Sequence, residues 1–256
     1  MRAIRCLVAA ALLGCCALSS HALVLVQEDF ESRVPGTKIA NFGPGWFSTT
    51  GFFVAANQLG FAANGSGYLS APSLPGSGDH TRYAWFDVSS AFNARGAGND
   101  IILEAVKIFL PAVTESAYGG MVMFDQLGNI VATIGVDMLA GSTLTDATLG
   151  IANVKANLGQ YNDIALRADY GSGLVDYLFN GTRIGSTRMS AASRLAGLGD
   201  FDFYNDGFNA TSAVAFRYDD YSIQAVPEPA TVALFGVGLA GLAAAARRRK
   251  QGRRAG

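Results

Sequence analysis

Between positions 163 and 187 the chain twice alternates apolar and polar side chains and turns on glycine each time, a pattern that suits strands and not a helix. Ile164, Leu166, Ala168 and Tyr170 fall on one side of an extended segment, and Ala165, Arg167 and Asp169 on the other. That is the two-residue period of a half-buried strand. Gly171-Ser172-Gly173 turns the chain, and Val175, Tyr177 and Phe179 mark a second strand. Asn180-Gly181 is the dipeptide best suited to the positive φ values of a type I′ hairpin. Residues 182–187 return as a third strand, so the region predicts an antiparallel meander.

The same signals recur along the middle of the chain. Residues 121–124 and 129–136 flank Asp125-Gln126-Leu127-Gly128 and predict a hairpin with a longer loop. Residues 101–110 are apolar on nearly both faces, interrupted by Glu104 and Lys107, and read as a central strand packed on both sides. Residues 82–88, 200–204 and 213–223 complete the set, with 28–30 as a first strand. Residues 140–158 read as a loop and a short helix. Residues 23–226 hold 25 of the 31 glycines and 26 of the 27 aromatic residues, which suits short strands joined by tight turns. The prediction is an all-β antiparallel sandwich of the jelly-roll kind over residues 23–225, large enough to bury its own core.

The ends are of another kind. Arg2 and Arg5, an apolar run over 7–18 and Ser20-His21-Ala22 make residues 1–22 a secretory signal peptide, with cleavage between Ala22 and Leu23. A rival reading takes Leu12-Leu13-Gly14-Cys15 as a lipobox with a lipidated Cys15. Cys6, Cys15 and Cys16 all lie in this segment, so cleavage at Leu23 removes every thiol and with it any disulfide, zinc-thiolate site or cysteine nucleophile. At the far end, Val226-Pro227-Glu228-Pro229 precedes an apolar stretch over 230–246 in which Thr231 is the only polar side chain. As a helix it would rise roughly 25 Å, enough for a thin bilayer core. The following Arg247-Arg248-Arg249-Lys250 would hold the C-terminus in the cytoplasm. Gly236, Gly238 and Gly241 fit the spacing of a dinucleotide loop, but they sit inside this apolar stretch with no strand before them. Residues 23–226 carry 11 basic against 19 acidic side chains, a formal charge of −8, which rules out nucleic-acid binding by a basic patch.

The tail, residues 226–254, closely resembles the PEP-CTERM sorting signal of Gram-negative bacteria, and every part of that signal is present. The resemblance implies export through the Sec translocon, cleavage by signal peptidase, and an intermediate in the inner membrane. A membrane exosortase would then recognise Pro227-Glu228-Pro229 and remove the helix, leaving the domain at the cell surface or in the extracellular matrix. Such signals usually occur where exopolysaccharide is made. A plain C-terminal anchor with a Pro-rich linker is the alternative. The middle is similar to the laminin G-like, concanavalin A-like jelly roll. Glu28-Asp29-Phe30-Glu31 resembles its opening strand, residues 164–181 its central and aromatic strands, and Tyr218-Asp219-Asp220-Tyr221-Ser222-Ile223 its closing strand.

Chemistry is sparse. The mature chain has one histidine, His80, no serine with glycines two residues away on both sides, and no E-x-D-x-x-E run. Asp200 and Asp202 share one strand face without a partner Glu nearby, and the remaining acids are expected at turns and strand ends, where water keeps them ionised. Glu28, Asp29 and Glu31 at the start and Asp219 and Asp220 at the end offer hard oxygen ligands for a structural Ca²⁺, or else cap turns. No other cofactor is expected. Trp46 is the candidate for stacking on sugar; Trp85, Tyr68 and Tyr83 also border Gly-rich segments, with Trp85 beside Phe86 expected in the core. Asn64, Asn180 and Asn209 match glycosylation sequons and read as turn residues. The sequence therefore predicts an exported, exosortase-sorted protein of structural or adhesive role, non-enzymatic and associated with exopolysaccharide. The alternative is a glycoside hydrolase or lyase on a concanavalin A-like fold.

Overall fold

Alternation of apolar and polar side chains carries through most of the chain and resolves into two stacked sheets. The computed structural model describes residues 22–49, 53–56, 67–72, 82–112, 117–138, 143–145, 154–206 and 215–227. Residues 1–21, His80, Asn64, Asn209, Glu228, Pro229, the 230–246 stretch and Arg247 to Lys250 lie outside them, as does the side chain of Tyr68. Residues 23–225 form one compact unit. In its first half run β1 (Leu23–Glu28), a 3₁₀ turn (Ile39–Asn41), β2 (Trp46–Ser48), β3 (Phe53–Ala56), β4 (Gly67–Pro72), β5 (Arg82–Asp87) and α1 (Ser89–Asn93). Next come β6 (Ile101–Leu110), β7 (Tyr118–Asp125), β8 (Ile130–Asp137), β9 (Thr143–Thr145) and β10 (Gln160–Asp169). The chain continues with β11 (Leu174–Phe179), β12 (Thr182–Arg188), α2 (Ala191–Ala196), β13 (Leu198–Asp206) and β14 (Ala215–Val226).

One sheet has eight strands among the described residues, in the order β12-β11-β10-β6-β14-β4-β3, with β1 also paired to β14; the other has six, β2-β5-β13-β7-β8-β9. The predicted meander is β10-β11-β12, registered Ile164 to Phe179 and Leu178 to Arg183. Its turn places Asn180 at φ 47° and Gly181 at φ 76°. In the β7–β8 hairpin the Asp125 carboxylate accepts the N–H groups of Leu127 and Asn129, each at 2.9 Å.

Between the sheets lies an aromatic core. Phe203 of β13 packs at 4.7 Å from Tyr221 and 5.0 Å from Tyr218, both on β14 of the opposite sheet. Tyr218 also donates its hydroxyl to the Tyr204 carbonyl at 2.7 Å, tying the sheets together. Burying each of these large side chains contributes about 1.5–3 kcal/mol.

Several expectations shift. The first strand is β1, which ends at Glu28; the chain then turns because the Glu28 carboxylate accepts the N–H of Phe30 at 2.9 Å, and Phe30 takes φ 60° with its ring buried. β6 is central in its sheet, but its outer face is buried only at the two ends, at Ile101 and Phe109. Ile102, Val106, Ile108 and Leu110 point inward and are buried, while Leu103, Ala105 and Lys107 on the outer face are half-exposed. Glu104 points inward with them, fully buried. Strands β2, β3, β4 and β9 and both short helices carried no clear sequence signal. α2 is capped by Ser190, whose hydroxyl accepts the Ser193 N–H at 2.9 Å.

The β1–β14 ladder closes the domain at its two ends. It runs from Glu28 opposite Tyr221 to Leu23 opposite Ala225. Leu23, the first residue after the expected signal cleavage, therefore lies beside the residue that precedes Val226.

Candidate functional site

On β13, Phe201 and Phe203 face the core, so Asp200, Asp202 and Tyr204 must face outward. The neighbouring strands continue these positions as three cross-strand rows. Asp200 lies between Asp87 of β5 and Phe124 of β7, Asp202 between Trp85 and Val122, and Tyr204 between Tyr83 and Gly120. The middle row extends to β2, where Phe47 is opposite Trp85. Their rings stack, with centroids 5.6 Å apart and planes inclined by 21°. Phe47 is 46% exposed, unusual for so large an apolar ring.

An open cavity of about 350 Å³ lies on this outer face, lined by Tyr83, Trp85, Phe124, Asp200 and Asp202, with Thr49 and Gly128 at its edge. Thr49 fixes the rim by bonding β5 twice at Tyr83. Its hydroxyl accepts the Tyr83 N–H at 2.8 Å, and its own N–H donates to the Tyr83 carbonyl at 2.8 Å. The third row is held by Tyr204, whose hydroxyl occupies the space that a Cβ on Gly135 of β8 would need, 1.9 Å away. Only glycine lets the ring lie flat there.

The two carboxyl groups differ from the acids foreseen at turns. Asp202 is 8% exposed, and its Oδ1, like that of Asp200, is buried without a hydrogen-bond partner. Burial and the adjacent Asp200 push the Asp202 carboxyl up to about 8; burial and Asp87 opposite push Asp200 up to about 6. Behind them, in the core, neither oxygen of Glu104 has a partner, and burial with the nearby Asp202 holds it well above the usual carboxylate range.

The other candidates fare differently. Trp46 is corrected: it is 7% exposed and packs edge-on against Phe42, Phe86 and Tyr221 in the core. Its neighbour Phe47 takes the outward position, one residue along the strand. Trp85, expected inside, is on the outer face, and Phe86 packs inward in its place. Both changes follow from the register of β2 on β5, which the sequence does not display. The acids proposed for Ca²⁺ do lie on adjacent strands, since Glu28 is opposite Tyr221. However, Arg33 binds Glu28 through Nε at 3.0 Å, Lys107 binds Asp220 at 2.6 Å, Asp29 accepts the Glu31 N–H, and Asp219 accepts the Asp220 N–H. Among the described residues no three acidic, histidine or cysteine side chains converge as a metal site, and Arg33 and Lys107 engage two of the five acids, Glu28 and Asp220. The alternation D-F-D-F-Y puts Asp200 and Asp202 on one face, as expected; what the sequence does not display is the pairing with β5 that brings Tyr83 and Trp85 beside them.

Residues 225–250 match the PEP-CTERM protein-sorting motif. The chain thus carries an exosortase sorting signal and is an exported, membrane-passing protein directed to the surface. The sequence matches no curated protein. Among solved structures the fold is similar to a mutant of alginate lyase Aly36B in complex with alginate trisaccharide, with TM-score 0.53 and 8% identity over 80% of this chain and 98% of that one. It is also similar to β-agarase A from Zobellia galactanivorans, with TM-score 0.50 and 8% identity over 80% and 92%. At such identities the likeness is one of fold, a two-sheet jelly-roll sandwich.

Proposed function

We propose that the protein is a non-enzymatic component of the cell surface or extracellular matrix, delivered by its sorting signal, that contacts exopolysaccharide through the outer face of the six-stranded sheet. The stacked Phe47–Trp85 pair beside an open cavity carries this reading. Sugar rings pack their C–H faces against aromatic rings, and a cavity that combines aromatic walls with a few polar groups fits a saccharide. Tyr83 and Phe124 widen the aromatic surface; Thr49, Asp200 and Asp202 supply groups for hydroxyls.

One observation favours a hydrolase or lyase as the second reading. Asp200 and Asp202 are one strand step apart, roughly 6.6–6.8 Å between backbones, and an inverting glycosidase separates its carboxyl groups by about 6.5–9.5 Å. Against it, the pair stands side by side on a single strand, whereas inversion needs an acid and a base on opposite faces of the sugar ring. Among the described residues the cavity lining offers no third carboxyl group.

The test is electrophoresis of the purified protein through a gel containing the host's exopolysaccharide. Retardation should weaken on Trp85→Ala or Phe47→Ala and no reducing sugar should appear. Retardation that ignores both changes would remove the assigned face, and sugar release abolished by Asp202→Asn would establish the enzyme.

A further inference from the structure

Four acids of the domain pair with bases: Arg33 meets Glu28, Arg95 meets Asp100, Lys107 meets Asp220, and Arg167 and Arg183 flank Asp176. Others, such as Asp125 and Asp169, are satisfied by neighbouring N–H groups. The Oδ1 atoms of Asp200 and Asp202 have neither. Among the described residues neither aspartate has a basic partner and no Lys or Arg lines the cavity, while Asp87 lies opposite Asp200 as a third acid. Asp202 is more than nine-tenths buried and its Oδ1 lacks any partner. A burial this complete is costly for a carboxyl group unless something satisfies it.

The walls narrow the choice of partner. Trp85, Tyr83 and Phe124 line the cavity, and an aromatic ring attracts an organic cation seated within about 6 Å of its face. A hard divalent ion instead needs six to eight oxygen ligands, roughly, and the two aspartates with Thr49 fall short. A uronate or sulfate would find acids and, among the described lining residues, no base, in a domain already of charge −8. We propose that the cavity binds an ammonium-bearing sugar, a de-N-acetylated hexosamine residue of an exopolysaccharide, with the ring on Trp85 and the ammonium on Asp200 and Asp202. The proposal rests on the reading of this face as a glycan surface and names its ligand class. Because both carboxyls titrate high, an ammonium would draw their protons off on binding, so uptake of the sugar should release protons.

The experiment uses the full-length chain in detergent and calorimetry with glucosamine tetrasaccharide, its fully N-acetylated counterpart and spermidine, in mildly acidic to neutral buffer where the amine is charged. The free-amine sugar should bind roughly ten- to a hundredfold more tightly than the acetylated one. Asp200→Asn with Asp202→Asn should erase that preference while Trp85→Ala weakens both sugars. The double variant is close in shape, and an unchanged circular dichroism spectrum and melting transition show that it folds. Equal binding of both sugars, lost in Trp85→Ala, overturns the amino-sugar assignment and leaves the glycan surface standing. Spermidine competing as well as the sugar overturns it too, since the ring would then count for nothing. Binding of neither sugar overturns both readings.

Discussion

Glu104 is the residue at which local chemistry and global fold disagree most. The sequence placed it as an interruption in an apolar strand, and the register shows why it could not be dismissed as an outward residue: it shares the inward face with Ile102 and Val106, opposite Leu166 of β10. Both its oxygens are buried without partners. It is held as the neutral acid by burial first and by Asp202 second. Because its folded pKa is raised, the unfolded chain loses this proton at lower pH than the native state does. Stability is therefore complete in acid and falls as pH rises above the ordinary carboxylate range of about 4. Asp200 and Asp202 have the same sign and extend the loss through about 6 and about 8. Urea denaturation across this range should show stability declining with pH. Glu104→Met, similar in length and needing no partner, should raise stability by about 1–3 kcal/mol and flatten the decline. A protein that grows more stable toward alkaline pH, or loses stability on this substitution, would contradict the buried neutral acid.

At the scale of elements, legibility follows the strength of the two-residue period. β10, β11, β12 and β8 lie close to where alternation and turn residues put them: β10 alternates between core and outer face, while β11, β12 and β8 are set by the turns that precede them. β2 and β9 are three residues each, too short to display a period, and the outward turn of Phe47 depends on pairing with β5 rather than on anything local. For the same reason the site was half visible: alternation placed Asp200 and Asp202 on one face, but only the pairing of β13 with β5 brings Trp85 beside them. The Asn180-Gly181 turn is the clearest local signal and can be tested cleanly. Gly181 has φ 76°, and a Cβ added there would meet nothing within 4 Å. Gly181→Ala therefore adds backbone strain without any clash. It should cost about 1–2 kcal/mol, the usual penalty for a side chain in the left-handed region, measured as a shift in the urea midpoint at unchanged slope. No shift would mean that the hairpin is not held in a type I′ turn.

At the scale of the whole chain, β1 and β14 pair so that Leu23, the expected first residue of the exported form, lies opposite Ala225, two residues before Pro227 in sequence. β14 is paired as far as Ala225, opposite Leu23, and only Val226 stands between that pair and Pro227. Proline has no N–H to donate, so Pro227 ends the strand where the motif begins. The motif therefore follows the folded ladder with almost no spacer, and an exosortase must cut close to paired backbone. Two variants separate recognition from access. Glu228→Ala keeps the apolar stretch and the basic tail, so it should leave full-length protein in the membrane fraction, detected by immunoblotting with an antibody to the domain. A flexible insertion of about ten Gly and Ser residues between Ala225 and Val226 spans roughly 16–19 Å on average. It leaves the motif intact and should be processed at least as fast as the native chain. Processing that survives Glu228→Ala would show that the acidic residue of the motif is not read. Slower processing of the extended chain would show that the exosortase needs the end of β14 together with the motif.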